Sequence, residues 1–165
     1  MTNLQAFLET IAVSEGVSDL GDRGYNVLVG SRRSQVITFS SYADHPRVEI
    51  RLRHDDPATP TNDQLISTAA GRYQILSKNY DFYRARLALR DFGPEAQDAI
   101  AVQLITECGA FEDIRAGRFD MAIARCASRW ASLPGAGYGQ HENRAADLRR
   151  AFINAGGVVA DLAQA

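Results

Sequence analysis

Cysteine is scarce in this chain: 165 residues contain two, Cys108 and Cys126, with no Cys-x-x-Cys pair and no histidine cluster beside either. Such spacing argues against a metal site and reads as two reduced thiols on apolar helix faces. Long apolar runs are also missing. No stretch approaches the roughly 20 residues of a membrane-spanning helix, and the opening MTNLQAFLET lacks the basic flank and apolar run of a secretory signal. The sequence therefore predicts synthesis in the cytoplasm and no membrane insertion. Charge of one sign is not in large excess either: the net charge of -2 argues against a general nucleic-acid binder. Neither the Gly-Lys-Ser/Thr spacing of a phosphate-binding loop nor the strand-and-glycine pattern of a dinucleotide site occurs, so no cofactor is expected. Internal repeats and low-complexity tracts are absent.

What is present is an ordinary globular composition, 45% hydrophobic and 23% charged, which predicts a single domain over residues 1–165. Leu4, Phe7, Leu8, Ile11 and Ala12 mark one face of a helix from about Asn3 to Glu15. Thr2 and Gln5 form a capping-box start, and Gly16 is a stop. At 100° per residue, Glu15 projects within roughly 40° of Leu4, Leu8 and Ile11, so a carboxyl group continues the apolar stripe. Glu9 projects to one side, as a solvated charge does. Partial burial and the negative end of the helix dipole both disfavour the Glu15 anion and raise its pKa. A carboxyl group protonated near neutral pH is suited to general acid catalysis. The alternative is a salt bridge, to Arg23 or Arg72.

After Gly16 the pattern shortens. YNVLVG and QVITFS read as strands around a turn, and RVEIRLR alternates as a half-exposed strand. Residues 21–54 hold six arginines against Asp22, Asp44 and Glu49, a local excess able to meet an anionic polymer. HDDPATPTND is a polar loop. Helices are predicted over about 71–89, from Pro94 to Gly109, along Phe119, Ile123, Cys126 and Trp130, and over about 144–155. The order gives an α+β fold, a larger helical lobe with a small antiparallel β lobe of about residues 21–54 inserted after the first helix and a cleft between them.

Two loops have the composition of a polymer-binding surface. STAAGRYQ (67–74) presents Thr68, Tyr73 and Gln74, with Ser67 reading as a helix cap; LPGAGYGQ (133–140) presents Tyr138 and Gln140 beside three glycines that let a ligand approach the backbone. Aromatic rings stack on apolar sugar faces, and amides bond to hydroxyl and N-acetyl groups. Tyr25 and Trp130 are further candidates, although rings such as Tyr73 and Trp130 are as often core. His45 and His141 read as surface or loop hydrogen bonders.

In order along the chain, SEG, GYNVLVG, DHPR, STAAGRYQ, QDAIA and WASLPGAGYGQ resemble the bacteriophage lambda endolysin family of phage lytic transglycosylases, over nearly the full length. The resemblance implies a lysozyme-like fold and cleavage of the β-1,4 bond between N-acetylmuramic acid and N-acetylglucosamine of peptidoglycan by one glutamate, matching Glu15. It implies 1,6-anhydro products, no cofactor or metal, and glycan contacts at Thr68, Tyr73, Gln74, Tyr138 and Gln140. It further implies a monomer that acts on the wall once a holin has opened the inner membrane. The family pattern carries an aspartate where this chain has Asn26, which weakens the case for a second catalytic carboxylate, although Asp19 and Asp22 lie near in sequence. A hydrolytic muramidase and a non-catalytic glycan-binding protein on the same scaffold are the alternatives.

Overall fold

The Thr2 hydroxyl accepts a hydrogen bond from the Gln5 N–H at 3.2 Å while the Gln5 side-chain oxygen accepts from the Thr2 N–H at 2.9 Å. This reciprocal cap starts α1, Asn3–Ser14. The helix is one residue shorter than its pattern predicts. Glu15 is the C-cap, and Gly16 takes the left-handed φ of 72° that turns the chain away. In the computed structural model, which describes residues 2–52, 65–137 and 142–160, the remaining elements are β1 (Ile50–Leu52), β2 (Leu65–Ser67), α2 (Ser77–Arg86), α3 (Pro94–Glu107), α4 (Phe111–Arg115), α5 (Phe119–Cys126) and α6 (Ala145–Asn154). No helix among the described residues is long and apolar enough to cross a membrane.

The chain divides into two compact units. The first joins residues 1–18 to residues 98–165. Here α1 packs on α4 and α6, and α5 packs on α4 and α6. Its core contains Phe7, Ile11, Ile105, Ile114, Phe119, Leu148 and Phe152, with Phe119 edge-on to Phe7 at 6.2 Å and tilted against Phe152 at 5.0 Å. Asp113, almost wholly buried on α4, accepts from Arg118 Nε at 2.7 Å and Arg125 Nε at 2.6 Å. Those two guanidinium groups fasten α4 to α5 and hold the Asp113 carboxyl below its usual pKa, the Arg118 bond being the larger cause. Trp130 lies beyond the end of α5 and still reaches the core, at 4% exposure.

The second unit, residues 19–97, is larger than the β lobe predicted over 21–54, because α2 and the segment before it belong to the same body. Among the described residues β1 and β2 pair antiparallel with Arg51 opposite Ile66, while YNVLVG and QVITFS contribute only isolated bridges, Val27 to Thr38, Leu28 to Ala70 and Arg32 to Gln35. The predicted polar loop 54–63 and Arg53 lie outside the described residues. The helix predicted from Gly71 begins at Ser77. Gly71 and Gln74 adopt positive φ, and Ala70 bridges Ile75, so residues 70–75 form a closed turn. Thr68, not Ser67, supplies the cap, its hydroxyl accepting from the Ser77 N–H at 3.1 Å.

A polar knot anchors this unit. The fully buried Gln97 amide accepts from the Arg72 N–H at 2.8 Å and donates to the carbonyls of Tyr25 and Phe92 at 2.9 and 2.8 Å. Any side chain at Gly71 collides with it, since a Cβ there would lie 2.2 Å from the Gln97 oxygen. Beside the knot, His45 packs against Phe92 at 4.6 Å and Tyr80 at 5.7 Å. His45 is buried, not at the surface as its sequence context suggests, and both ring nitrogens are occupied: Nε2 donates to the Ile75 carbonyl and Nδ1 accepts from the Arg47 N–H.

Burial lowers the His45 pKa from its ordinary 6.5, only partly countered by the bond to Ile75. The folded state thus favours the neutral ring, so its stability is present above about pH 6.5 and is lost as pH falls below that value, where the unfolded chain takes up the proton. Melting curves recorded from pH 8 to pH 5 are expected to show His45→Gln gaining in stability relative to the parent as pH falls, because the variant lacks this loss.

Candidate active site

Glu15 owes its position to the end of α1. Its N–H donates to the Ile11 carbonyl at 2.9 Å, closing the last turn, and its side chain is half-buried on the stripe begun by Phe7, Leu8 and Ile11. The last turn of α1 contains no basic residue. The Ser132 hydroxyl, 117 positions away, donates to Glu15 Oε1 at 2.6 Å. Ser132 is held in turn by Ser14, the two hydroxyl oxygens lying 2.7 Å apart. Asn143 completes the set: its amide donates to the Ser14 carbonyl at 2.9 Å, the Ser14 hydroxyl at 3.2 Å and the Ser132 carbonyl at 3.0 Å. The donors run in one direction, from Asn143 to Ser14 to Ser132 to the carboxyl group.

Burial raises the Glu15 pKa to about 7, and the Ser132 hydrogen bond partly offsets it. No basic group among the described residues contributes to the shift. Among the described residues of the first unit, the partner of this carboxyl is the Ser132 hydroxyl. In the second unit, Arg72 instead donates to the Arg23 carbonyl and lies over the Tyr25 ring at 5.1 Å. A group titrating near 7 both gives and takes a proton readily at neutral pH.

The other predicted residues divide sharply. Tyr73 is 2% exposed and Trp130 4%, so both are core rings with no face open for a sugar to stack on. Thr68 caps α2, and the Gln74 amide donates to the Gly71 carbonyl at 2.8 Å, holding its own turn. Tyr25 is half-buried beneath Arg72. Tyr138, Gln140 and His141 lie outside the described residues. Two glycines of LPGAG, read as room for a ligand, serve the protein itself: the N–H groups of Gly135 and Gly137 donate to the Glu142 carboxylate at 2.9 and 2.8 Å. These bonds hold the Glu142 pKa below its usual value.

No sequence signal marks Ser14, Ser132 and Asn143, whose roles come from pairings across the first unit, nor Glu142, whose partners are the backbone N–H groups of Gly135 and Gly137. The arginine excess is also reduced by internal pairing: Arg33 meets Asp19, while Arg47 bonds Asp81 at 2.6 Å and approaches Asp44 at 3.6 Å. Asp22 accepts from the Tyr42 hydroxyl at 2.8 Å. Asn26 Oδ1 accepts the Asp22 N–H at 2.8 Å, so the neutral residue in this position locks a turn. No cluster among the described residues has the ligands for a metal ion.

The endolysin family model matches residues 5–159. The chain belongs to the endolysin family. It is 47% identical to the endolysin of Escherichia phage P2 over 162 residues, covering 96% of this chain and 95% of that one. It is 44% identical to the endolysin of Escherichia phage lambda, covering 96% and 94%. Among solved structures, bacteriophage lambda lysozyme in complex with a chitohexasaccharide superposes with a TM-score of 0.84 at 44% identity, over 97% of this chain and 98% of that one. A second structure of the lambda lysozyme gives 0.79 at 43% identity, with the same coverage. This endolysin therefore has the lysozyme-like α+β fold that its sequence predicts.

Removing the hydroxyl in Ser132→Ala deletes the one contact that lowers the Glu15 pKa, and a carboxyl-carbon NMR titration is expected to move upward from about 7. Because the folded state resists ionisation of Glu15, that group's stabilising contribution is present below its ordinary pKa of 4.5 and is lost as pH rises through about 7. Glu15→Gln, which keeps a hydrogen-bond acceptor without the charge, is expected to be more stable than the parent by about 1–3 kcal/mol at pH 8 in urea unfolding, with the difference vanishing near pH 4.

Proposed function

We propose that this endolysin cleaves the β-1,4 bond between N-acetylmuramic acid and N-acetylglucosamine in peptidoglycan by intramolecular transglycosylation, with Glu15 as both acid and base. The observation that carries the reading is a single half-buried carboxyl, raised to about 7 and fixed by the Ser132 hydroxyl. Protonated Glu15 gives its proton to the glycosidic oxygen as the bond to C1 breaks. The resulting carboxylate then takes the proton of the muramyl C6 hydroxyl while that oxygen attacks C1. Glu15 ends protonated, and the product carries a 1,6-anhydro ring with no water consumed.

Hydrolytic glycosidases usually need a second carboxylate to act as nucleophile or to activate water. Support for a one-carboxylate mechanism comes from the neutral Asn26 and from the partners of the acids that follow Glu15 in sequence, Tyr42 for Asp22 and Arg33 for Asp19. The lambda lysozyme was solved with a chitohexasaccharide, a β-1,4-linked N-acetylglucosamine chain, which supports a glycan strand as the ligand here. In this reading Tyr25, Thr68, Gln74, Tyr138 and Gln140 remain candidates for contact with that strand. The chain acts as a monomer, is made in the host cytoplasm and reaches the wall after a holin opens the inner membrane.

The test is mass spectrometry of fragments released from purified peptidoglycan. The parent is expected to give anhydro-muramyl ends, one water lighter than reducing ends, and Glu15→Gln to lower the rate roughly 10²- to 10⁴-fold. The parent rate is expected to fall as pH rises past about 7, where the acid form is depleted. Reducing ends would overturn transglycosylation in favour of a muramidase, and no release by the parent would leave a glycan-binding protein.

A further inference from the structure

The Asn143 amide sets the direction in which the hydroxyl line beside Glu15 runs. Its nitrogen lies 2.9 Å from the Ser14 carbonyl oxygen and 3.0 Å from the Ser132 carbonyl oxygen. Carbonyl oxygens only accept, so the group turned toward them is the NH2, and its two hydrogens are committed there. The third contact, 3.2 Å to the Ser14 hydroxyl, shares one of those hydrogens and is likewise a donation. The backbone keeps the residue in place, because the Asn143 N–H also donates to the Ser132 carbonyl at 2.9 Å. Ser14 is buried, and among the described residues its hydroxyl meets two groups, the Asn143 amide and the Ser132 hydroxyl. Having accepted from Asn143, it has one place to send its own hydrogen, the Ser132 oxygen at 2.7 Å. Ser132 then sends its hydrogen to Glu15 Oε1 at 2.6 Å, and Oε2 has no hydrogen-bond partner among the described residues. The opposite direction, from Oε1 to Ser132 to Ser14, strands the Ser14 hydrogen without an acceptor, which disfavours it roughly 5- to 150-fold.

We infer that Asn143 and Ser14 are positioning residues that keep Glu15 Oε1 an acceptor in both protonation states, so that Oε2 carries the acid proton and alone exchanges it. With Glu15 as the acid and base proposed above, on which this assignment rests, Oε2 gives its proton to the glycosidic oxygen as the bond to C1 breaks. From the same position it takes the proton of the attacking hydroxyl and ends protonated. The carboxyl group need not turn over between the two transfers. Ser132 remains a donor throughout, and a donor favours the carboxylate over the acid, in keeping with its lowering of the Glu15 pKa. Asn143 thus acts on the carboxyl through two hydroxyl groups without touching it.

Neutron diffraction from deuterated crystals of the full-length protein at about pH 5.5, where ordinary carboxyl groups are ionised and Glu15 is not, reads these hydrogens directly. The expected result is a deuteron on Oε2, the Ser132 deuteron aimed at Oε1 and the Ser14 deuteron aimed at Ser132. A deuteron on Oε1, or a Ser132 deuteron aimed at Ser14, would overturn the inference. No substrate is present in the crystal, so this failure is separate from a failure to release anhydro-muramyl fragments. In solution, Asn143→Asp replaces the donor with an acceptor that takes the Ser14 hydrogen and turns the line round, and the Glu15 pKa is expected to rise above about 7 in a carboxyl-carbon NMR titration. Ser14→Ala leaves Asn143 its two carbonyl partners and cuts the line. In that background the same Asn143→Asp change is expected to weaken the acid roughly 2- to 10-fold less. Equal shifts in the two backgrounds would overturn the inference as well.

Discussion

The bond between Ser132 and Glu15 is the constraint on which the candidate site of this molecule rests. It is the last step in a line of donors that starts at Asn143, and it fixes three separate pieces of chain: the end of α1, the segment after Trp130 and the approach to α6. A hydrogen bond of this kind adds only about 0.5–1.5 kcal/mol net, but leaving a buried partner unmatched costs about 1–3 kcal/mol. The set is therefore held by the penalty for breaking it. Burial would push the carboxyl further up than is useful for giving and taking a proton at neutral pH. The hydroxyl draws it back.

Glu15 was legible in the sequence because an amphipathic helix states its own geometry: the carboxyl lies on the apolar face and the cap at Thr2 sets the phase. Its partners were not legible. Ser14 reads as an ordinary helical serine, and nothing within ten residues of Ser132 or Asn143 points to residue 15. The same limit applies to rings. Tyr73 stands in a loop-like sequence beside Gly71 and Gln74, which suggests exposure, yet the closed turn at 70–75 rotates it into the core. Helix ends are legible where glycine or proline marks them, as at Gly16, Pro94 and Gly109. The start of α2 is not legible, because its cap comes from Thr68, nine residues before Ser77.

The β region shows why alternation alone overstates strands. Residues 25–40 have the composition of a hairpin, but their backbone groups are satisfied by single bridges and by side chains such as Ser31, whose hydroxyl donates to the Leu28 carbonyl at 2.8 Å and accepts from the Ile37 N–H at 3.0 Å. Among the described residues the second unit is held by the buried Gln97 amide and the packed His45, Tyr80 and Phe92 rings more than by a sheet ladder. A central polar group with every hydrogen-bonding atom matched specifies one arrangement of the surrounding loops. Neither Gln97 nor His45 carries a sequence signal for such a role, because both act through tertiary contacts.

The first unit is written in two instalments, with the whole of the second unit between them. During synthesis α1 leaves the ribosome first and waits, for the helices that bury it, α4 and α6, are encoded after residue 110. Until Ser132 and Asn143 have emerged, residue 15 is a solvated glutamate with the acidity of any other. The raised acidity constant of residue 15 is thus acquired late in translation, and a fragment that stops before Ser132 carries the glutamate without it.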